Sequence, residues 1–298
     1  MASRGCPYQC AFCSSPSMWG LKWKVRSVDS VITEMKSYIA EYGVSNFDFY
    51  DLTAIIDRRW ILRFCERLTQ ERLGVTWQLP TGTRCEAIDG QVSRALHAAG
   101  CRIMNYAPES GSPAELERIR KRVDLGVMLR SIRSARQAGL QIKVNFVFGF
   151  PGSGWRDILR TLGFIVRVTW NGADDVNCFP FSPYPGSAMF RELERSGRVG
   201  LDERYFSSLL AYTDPANSVS FVDYIGSRQL SALNFAGMLL FYACSFVFRP
   251  PRFFKLAWAI LTKDSSTKLT MALANQRRKR RGLQRLRSEG TRSVVVPD

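Results

Sequence analysis

The sequence predicts an α/β protein of the parallel, strand–helix–strand kind. Three observations carry that expectation. Apolar residues at helical spacing alternate with short β-branched and aromatic runs, roughly every 25 to 35 residues. Segments rich in Pro, Gly and polar residues follow each strand-like run. The chain has 298 residues and is 46% hydrophobic, enough for one large core with an appendage.

The elements follow in order. Asp29 or Ser30 can cap a helix whose Ile32, Met35 and Ile39 share a face, and Gly43 can end it. Asn46 to Tyr50 reads as a strand. Arg59 to Leu73 reads as a helix with Leu62, Cys65 and Leu68 spaced for burial. Val75 to Leu79 is the next strand, and Asp89 to Ala99 the next helix. Cys101 to Tyr106 is a strand, and Leu125 to Ala138 is a helix stopped by Gly139. Gln141 to Phe148 is the clearest strand, then Trp155 to about Val168 is helical. Asp175 to Phe179 and a helix from Ser187 to Arg195 complete the alternation. In a βα-barrel the functional loops follow the strands at the C-terminal rim. Five such segments recur: Asp51-Leu52-Thr53, Pro80 to Arg84, Pro108 to Ser112, Gly149 to Gly152, and Pro180 to Ser187. Pro and Gly also punctuate ordinary turns, so the recurrence, not any one loop, points to a site.

A compact cysteine pattern opens the chain. Cys6, Cys10 and Cys13 stand as Cys-x3-Cys-x2-Cys inside Arg4 to Cys13. Iron–sulfur clusters are held by cysteine thiolates, usually four. A four-iron cluster on three thiolates leaves one iron open to a substrate or cofactor. Structural zinc is the competing reading. It normally takes four ligands, and the fourth would come from His97, the only histidine, or from Cys65, Cys85, Cys101, Cys178 or Cys244. None of these repeats a paired spacing. Buried packing is the expectation for those five cysteines, and a helix end for His97. Multi-histidine metal sites are excluded, and Ser-His-Asp or Cys-His catalysis would depend on His97 alone. Only Met1 to Arg4 precede the loop, so the first strand is expected to be missing or vestigial, as in a truncated gene or a misplaced start. No apolar leader segment stands in that text. Eight cysteines in a chain this long fit a reducing cytosol better than a disulfide scaffold.

The residues resemble the radical S-adenosylmethionine (radical SAM) enzymes. Cys6, Cys10 and Cys13 match that family's cluster motif, with aromatic Phe12 before the last cysteine. The likeness runs from Ser3 to about Gly200. It implies a partial (βα)6 TIM-like barrel with its first strand truncated. Further text, Ser-Arg-Gly-Cys-Pro, Pro-Glu-Ser-Gly-Ser, Gly-Phe-Pro-Gly and Pro-Tyr-Pro-Gly-Ser, resembles the cobalamin-dependent subgroup that includes the anaerobic magnesium-protoporphyrin monomethyl ester cyclases. The resemblance implies a [4Fe-4S] cluster on the three cysteines, with S-adenosylmethionine chelated at the open iron. It implies that Glu109 binds the SAM ribose, that Ser110 and Gly111 line the same pocket, and that the Phe12 backbone lies near adenine. Asp51 and Thr53 occupy the place where relatives hold the SAM amino group. Arg84 and Lys121 are candidates for its carboxylate. One electron would cleave the sulfonium and release a 5′-deoxyadenosyl radical that abstracts hydrogen from substrate. An electron donor such as flavodoxin or ferredoxin is implied. Two departures stand out. The subgroup's cobalamin domain usually precedes the cysteine loop, so cobalamin would need a separate or missing domain. Ser153 also follows Gly152 where relatives often have an acid.

The organisation expected is a radical SAM barrel over 1–204, a helical region over 205–275 and a basic disordered tail over 276–298. Leu230 to Phe248 is strongly apolar, and Phe253 to Leu261 continues as an amphipathic piece. Three arrangements fit: helices over the barrel mouth, an interfacial membrane helix with basic flanks, or a span. A cytoplasmic protein, peripheral to a membrane at most, follows. Much of the formal net charge of +16 sits between Arg277 and Arg292. No aromatic residues interleave that run, so nucleic acid is not the expected partner. The reading is an enzyme acting on a hydrophobic or polycyclic metabolite by methylation, cyclisation or oxidation. The alternatives are a non-catalytic remnant and an RNA-modifying radical enzyme.

Overall fold

The computed structural model describes residues 1–53, 55–212 and 217–261. The first of its two compact units is Met1–Cys244; the second begins at Ser245, and its described part ends at Leu261. The expected tail over 276–298 and its basic run lie outside the described residues. The expected boundary at 204 falls inside the first unit.

Five parallel strands form one sheet in sequence order: β3 (Asn46–Asp48), β4 (Thr76–Thr83), β5 (Cys101–Glu109), β6 (Gln141–Phe148) and β7 (Asp175–Pro180). Each pair is joined through helical chain: α3 (Arg58–Glu71), α4 (Gly90–Ala98), α5 (Pro113–Arg118) with α6 (Leu125–Gln137), and α7 (Trp155–Trp170). This is the arrangement expected of a partial (βα) barrel. Before it stand β1 (Ser3–Arg4), α1 (Ser15–Trp19), β2 (Lys24–Val25) and α2 (Val28–Tyr42). The segment ahead of the cysteine loop is therefore a short strand, but it does not join the sheet. It pairs antiparallel with β2 instead. After β7 come α8 (Ala188–Arg195), α9 (Glu203–Ser208), a 3-10 turn at Leu209–Tyr212, α10 (Ser227–Phe248) and α11 (Pro251–Leu261).

Local chemistry sets the boundaries. The α2 cap is Ser27, whose hydroxyl accepts from the Ser30 backbone at 3.2 Å, rather than Asp29 or Ser30. Gly43 ends that helix in the left-handed region, as expected. Asp89 and Ser187 cap α4 and α8. β4 continues past Pro80, where the sequence suggested a turn. The Asn105 amide bonds the Pro80 carbonyl at 2.7 Å, and the ladder resumes at Thr83 opposite Tyr106. α1 and α5 are too short to show a period. Each carries a Pro in its first turn, the one sequence signal they offer.

One core lies between sheet and helices. Trp60 stacks on Phe64 at 5.3 Å, and Phe49 and Trp77 meet Phe64 edge-on. α10 lays Leu230, Asn234, Gly237 and Phe241 along one buried stripe. A side chain at Gly237 would stand 2.9 Å from the Cys178 sulfur on β7. The helix is long and apolar enough to cross a membrane by length and composition, while its buried stripe packs on the sheet. A second, smaller cluster lies beneath the cysteine loop: Ala11, Leu116, Ile119, Phe150, Phe181, Met189, Leu193 and Phe221.

Gly111 sits where β5 hands over to α5. A methyl group there would meet the Phe164 Cβ at 2.4 Å and the Arg160 carbonyl oxygen at 2.7 Å. Gly111→Ala is expected to cost about 1–3 kcal/mol by forcing α7 away from the loop. A fall in the urea midpoint with unchanged slope checks this.

Candidate cofactor site

The cysteine loop has no regular structure across its three sulfurs, so its shape depends on what grips it. Gly5 opens it at φ +79, with its α-carbon so close to the Lys22 carbonyl that no side chain fits. Within it, Cys13 N–H donates to the Cys10 carbonyl at 3.1 Å. The Ala11 amide donates to the Ile119 carbonyl, and the Ala11 carbonyl accepts from Met189, both at 2.9 Å.

All five strand ends touch this loop or the residues flanking it. After β3, Asp51 is fully buried and accepts from the backbone amides of Ala2 and Ser3 and from the Ser3 hydroxyl. Thr53 donates its hydroxyl to the Cys6 sulfur at 3.3 Å. After β4, the Arg84 guanidinium lies 3.8 Å from the centre of the Tyr8 ring. After β5, Glu109 pairs with Lys121 at 2.9 Å, and the Lys121 ammonium stands 5.9 Å from the Phe12 ring centre. After β6, Phe150 packs on Phe12 at 5.5 Å. After β7, Gly186 abuts Ser17, just beyond Cys13. The rim loops thus converge as the strand–loop pattern suggested.

The expected cofactor residues fall into two groups. Cys6, Cys10, Cys13, Phe12, Thr53, Glu109 and Lys121 are gathered at the loop. Asp51, Ser110, Gly111 and Arg84 are committed to protein partners. Asp51 braces the N-terminal strand. Ser110 is buried against Thr161 of α7 at 3.1 Å, and the Gly111 amide bonds the same hydroxyl. Packing against α7 gives that glycine a structural reason of its own. Arg84 also holds Glu86 and the Arg122 carbonyl, so stacking on Tyr8 occupies it.

Sequence reasoning missed a polar knot beside the β6 loop. Glu115 of α5 accepts from the Ser153 hydroxyl, and Asp157 of α7 accepts from Ser112 at 2.5 Å and from Arg118 at 2.9 Å. Glu115 thus places a carboxylate against Ser153, the position where an acid was missed. Burial pushes the Glu115 carboxyl above its usual range, against bonds from Ser110 and Ser153. The text Ser112-x-x-Glu115, a capping-box pattern, was the available signal. A cavity of about 580 Å³ lies along Pro113–Leu125 and shares Lys121 with the site.

The donor set fits a cluster. The three thiols are free and partly exposed, whereas Cys65, Cys85, Cys101 and Cys178 are buried; Cys244 on α10, expected to be buried, is also partly exposed. Burial pushes the Cys65, Cys85 and Cys178 thiols up to about 12. Burial also raises Cys10 and Cys13, opposed by the Lys121 charge at Cys10 and by the Ser15 N–H at Cys13. Among the described residues, no three His, Cys, Asp or Glu side chains gather closely enough to hold a single ion. A four-iron cluster asks for something different, since each thiolate binds a different iron and the sulfurs stay apart. His97 lies in the last turn of α4 and packs on Gly139, a structural place.

Lys121 and Glu109 are each about nine-tenths shielded from solvent. Burial works against the Lys121 charge, but Glu109 and then Cys10 outweigh it, so the lysine holds its proton more tightly than usual. Glu109 itself adopts φ +68 at a ladder irregularity, a conformation that costs a non-glycine residue about 1–2 kcal/mol. Lys121→Met leaves a buried carboxylate unpaired and is expected to cost about 3–5 kcal/mol. Adding Glu109→Gln should recover much of that loss in a double-mutant cycle read by urea denaturation.

Comparison with known proteins bears on this geometry. The model of the Radical SAM superfamily matches residues 2–165, more than half of the chain. An uncharacterized methyltransferase of Pyrococcus horikoshii is 30% identical over 193 residues, covering 64% of this chain and 40% of the relative. The anaerobic magnesium-protoporphyrin IX monomethyl ester cyclase of Rubrivivax gelatinosus is 25% identical, covering 68% of this chain and 36% of the relative. This chain therefore spans about two fifths of the length of these curated relatives. The solved radical S-adenosylmethionine methyltransferase TsrM of Kitasatospora setae, with cobalamin and a [4Fe-4S] cluster bound, shares the fold. Its TM-score is 0.58 at 19% identity, over 65% of this chain and 38% of that one. With its three-cysteine loop inside the matched span, this chain belongs to the radical SAM superfamily, whose members use a [4Fe-4S] cluster and S-adenosylmethionine.

Proposed function

We propose that this chain is the radical-generating barrel of an enzyme acting on a hydrophobic or polycyclic small molecule. One observation carries the reading: five strand ends converge on a loop whose three free thiols remain partly exposed. Cys6, Cys10 and Cys13 would hold the cluster. When bound, it supplies the electron that splits S-adenosylmethionine into methionine and a 5′-deoxyadenosyl radical.

The chain's own residues then bind, orient and shield. The Glu109 carboxylate offers two acceptors to ribose hydroxyls. Lys121 pairs with that carboxylate at 2.9 Å and can meet the methionine carboxylate. The Phe12 backbone is the proposed adenine contact. Phe12 of the loop begins a continuous aromatic row through Phe150, Phe181 and Phe221, with neighbouring ring centres 5.2 to 5.8 Å apart. Such a wall excludes water from a reactive radical. Cobalamin, if used, would be held by a segment outside this chain. Methylation and ring closure are both supported by the names of the relatives, and flavodoxin or ferredoxin is the proposed electron donor.

Reconstitution with iron and sulfide under anaerobic conditions tests the reading. The expected product is a reducible four-iron cluster whose spectrum changes on adding S-adenosylmethionine, with release of 5′-deoxyadenosine. Alanine at Cys6, Cys10 or Cys13 should abolish the cluster, while Cys244→Ala should keep it. Zinc in place of iron, or a chromophore indifferent to these cysteines, overturns it.

Peripheral membrane contact is a second proposal, supported by the exposure of Phe254, Trp258 and Leu261 on one face of α11. The protein should float with anionic vesicles at low salt. Serine at all three positions should abolish flotation.

A further inference from the structure

We infer that Thr53 is a positioning residue that sets the reduction potential of the cluster through Cys6. This rests on the cluster assignment above and adds a role distinct from contact with S-adenosylmethionine. The Thr53 hydroxyl donates to the Cys6 sulfur at 3.3 Å, and the side chain is 3% exposed. The residue is held from its other end, where its carbonyl accepts from the Trp23 indole at 3.1 Å. Two residues back, Asp51 fixes Ala2 and Ser3, the approach to Gly5 and Cys6. The hydroxyl is thereby aimed at one sulfur by a frame that does not depend on the cysteine loop itself.

The three sulfurs differ in this respect. Cys6 accepts from a side-chain hydroxyl, and Cys13 accepts from the Ser15 backbone at 3.4 Å. Cys10 faces the Lys121–Glu109 pair. Hydrogen bonds to cluster sulfurs are one of the protein's means of setting potential. A donor stabilises the reduced cluster more than the oxidised one, because reduction adds negative charge to the iron–sulfur core and its thiolates. Removing the donor makes the midpoint more negative. Only the hydroxyl hydrogen is at issue, so the effect separates from packing: valine keeps the shape of threonine and loses the donor.

The experiment uses the full chain, reconstituted with iron and sulfide, and reads the midpoint by electron paramagnetic resonance during a reductive titration. Thr53→Val should shift the midpoint to more negative potential at unchanged iron and sulfide content. Thr53→Ser should keep the wild-type value. Trp23→Phe, which frees the Thr53 carbonyl, should shift it in the same direction as Thr53→Val by a smaller amount. A Thr53→Val midpoint equal to wild type overturns the inference. If Thr53→Val takes up no iron, Trp23→Phe decides, and a wild-type midpoint there overturns it equally. A wild-type chain that assembles no four-iron cluster would instead defeat the functional reading beneath it.

Discussion

The constraint on which this structure depends is the support of a loop that cannot support itself. Cys6 to Cys13 spans eight residues with one internal backbone hydrogen bond, Cys13 to Cys10. For the proposed cluster its sulfurs must be presented in a fixed arrangement, and ligand geometry is held by the surrounding shell. A parallel sheet answers that need by putting every strand end on one rim. Asp51 and Thr53, Arg84, Glu109 with Lys121, Phe150 and Gly186 each come from a different strand end, and each meets a different part of the loop or its flanks. The hydrophobic cluster around Phe150 and Phe181 fills the space below, so the loop rests on packed side chains rather than on solvent.

What could be read from the sequence is what has a short period. β6 from Gln141 to Phe148 has its predicted bounds because its buried residues alternate strictly. α3 and α7 declare themselves by wide apolar faces, and Asp89, Ser187 and Gly43 by capping chemistry that acts within four residues. The cysteine spacing is local too. What escaped is settled over longer distances. Pro80 looks like a break until Asn105, 25 residues on, satisfies its carbonyl. The partners of Asp51, Ala2 and Ser3, stand nearly fifty residues earlier. The helix that packs against Gly111, α7, begins more than forty residues further on.

Apolar composition is the least decisive signal of all. α10 would read alike as a core helix, an interfacial helix or a span, because mean hydropathy carries no direction. Direction comes from the stripe of Leu230, Gly237 and Phe241, which β6, β7 and α7 require, with Phe235 and Leu239 left on the outer surface. Gly237 is the informative residue. A methyl group there would stand 2.9 Å from the Cys178 sulfur, so the close approach of this helix to β7 has a use for glycine at that point.

The same economy governs the site. Radical chemistry asks little acid–base work of a protein, and much confinement and aim. The groups that meet the cysteine loop match that division. Its floor is aromatic, from Phe12 to Phe221, and offers no acid or base. Charge comes from the strand ends around it, and at one of them Glu109 is held in a strained backbone against Lys121. Strain of that kind persists only where surrounding structure over-determines it. The ladder irregularity between Tyr106 and Glu109 turns the carboxylate out of the regular pleat toward Lys121. A regular strand end would have been the more stable choice, and the protein does without it at the carboxylate that pairs with Lys121 beside Phe12.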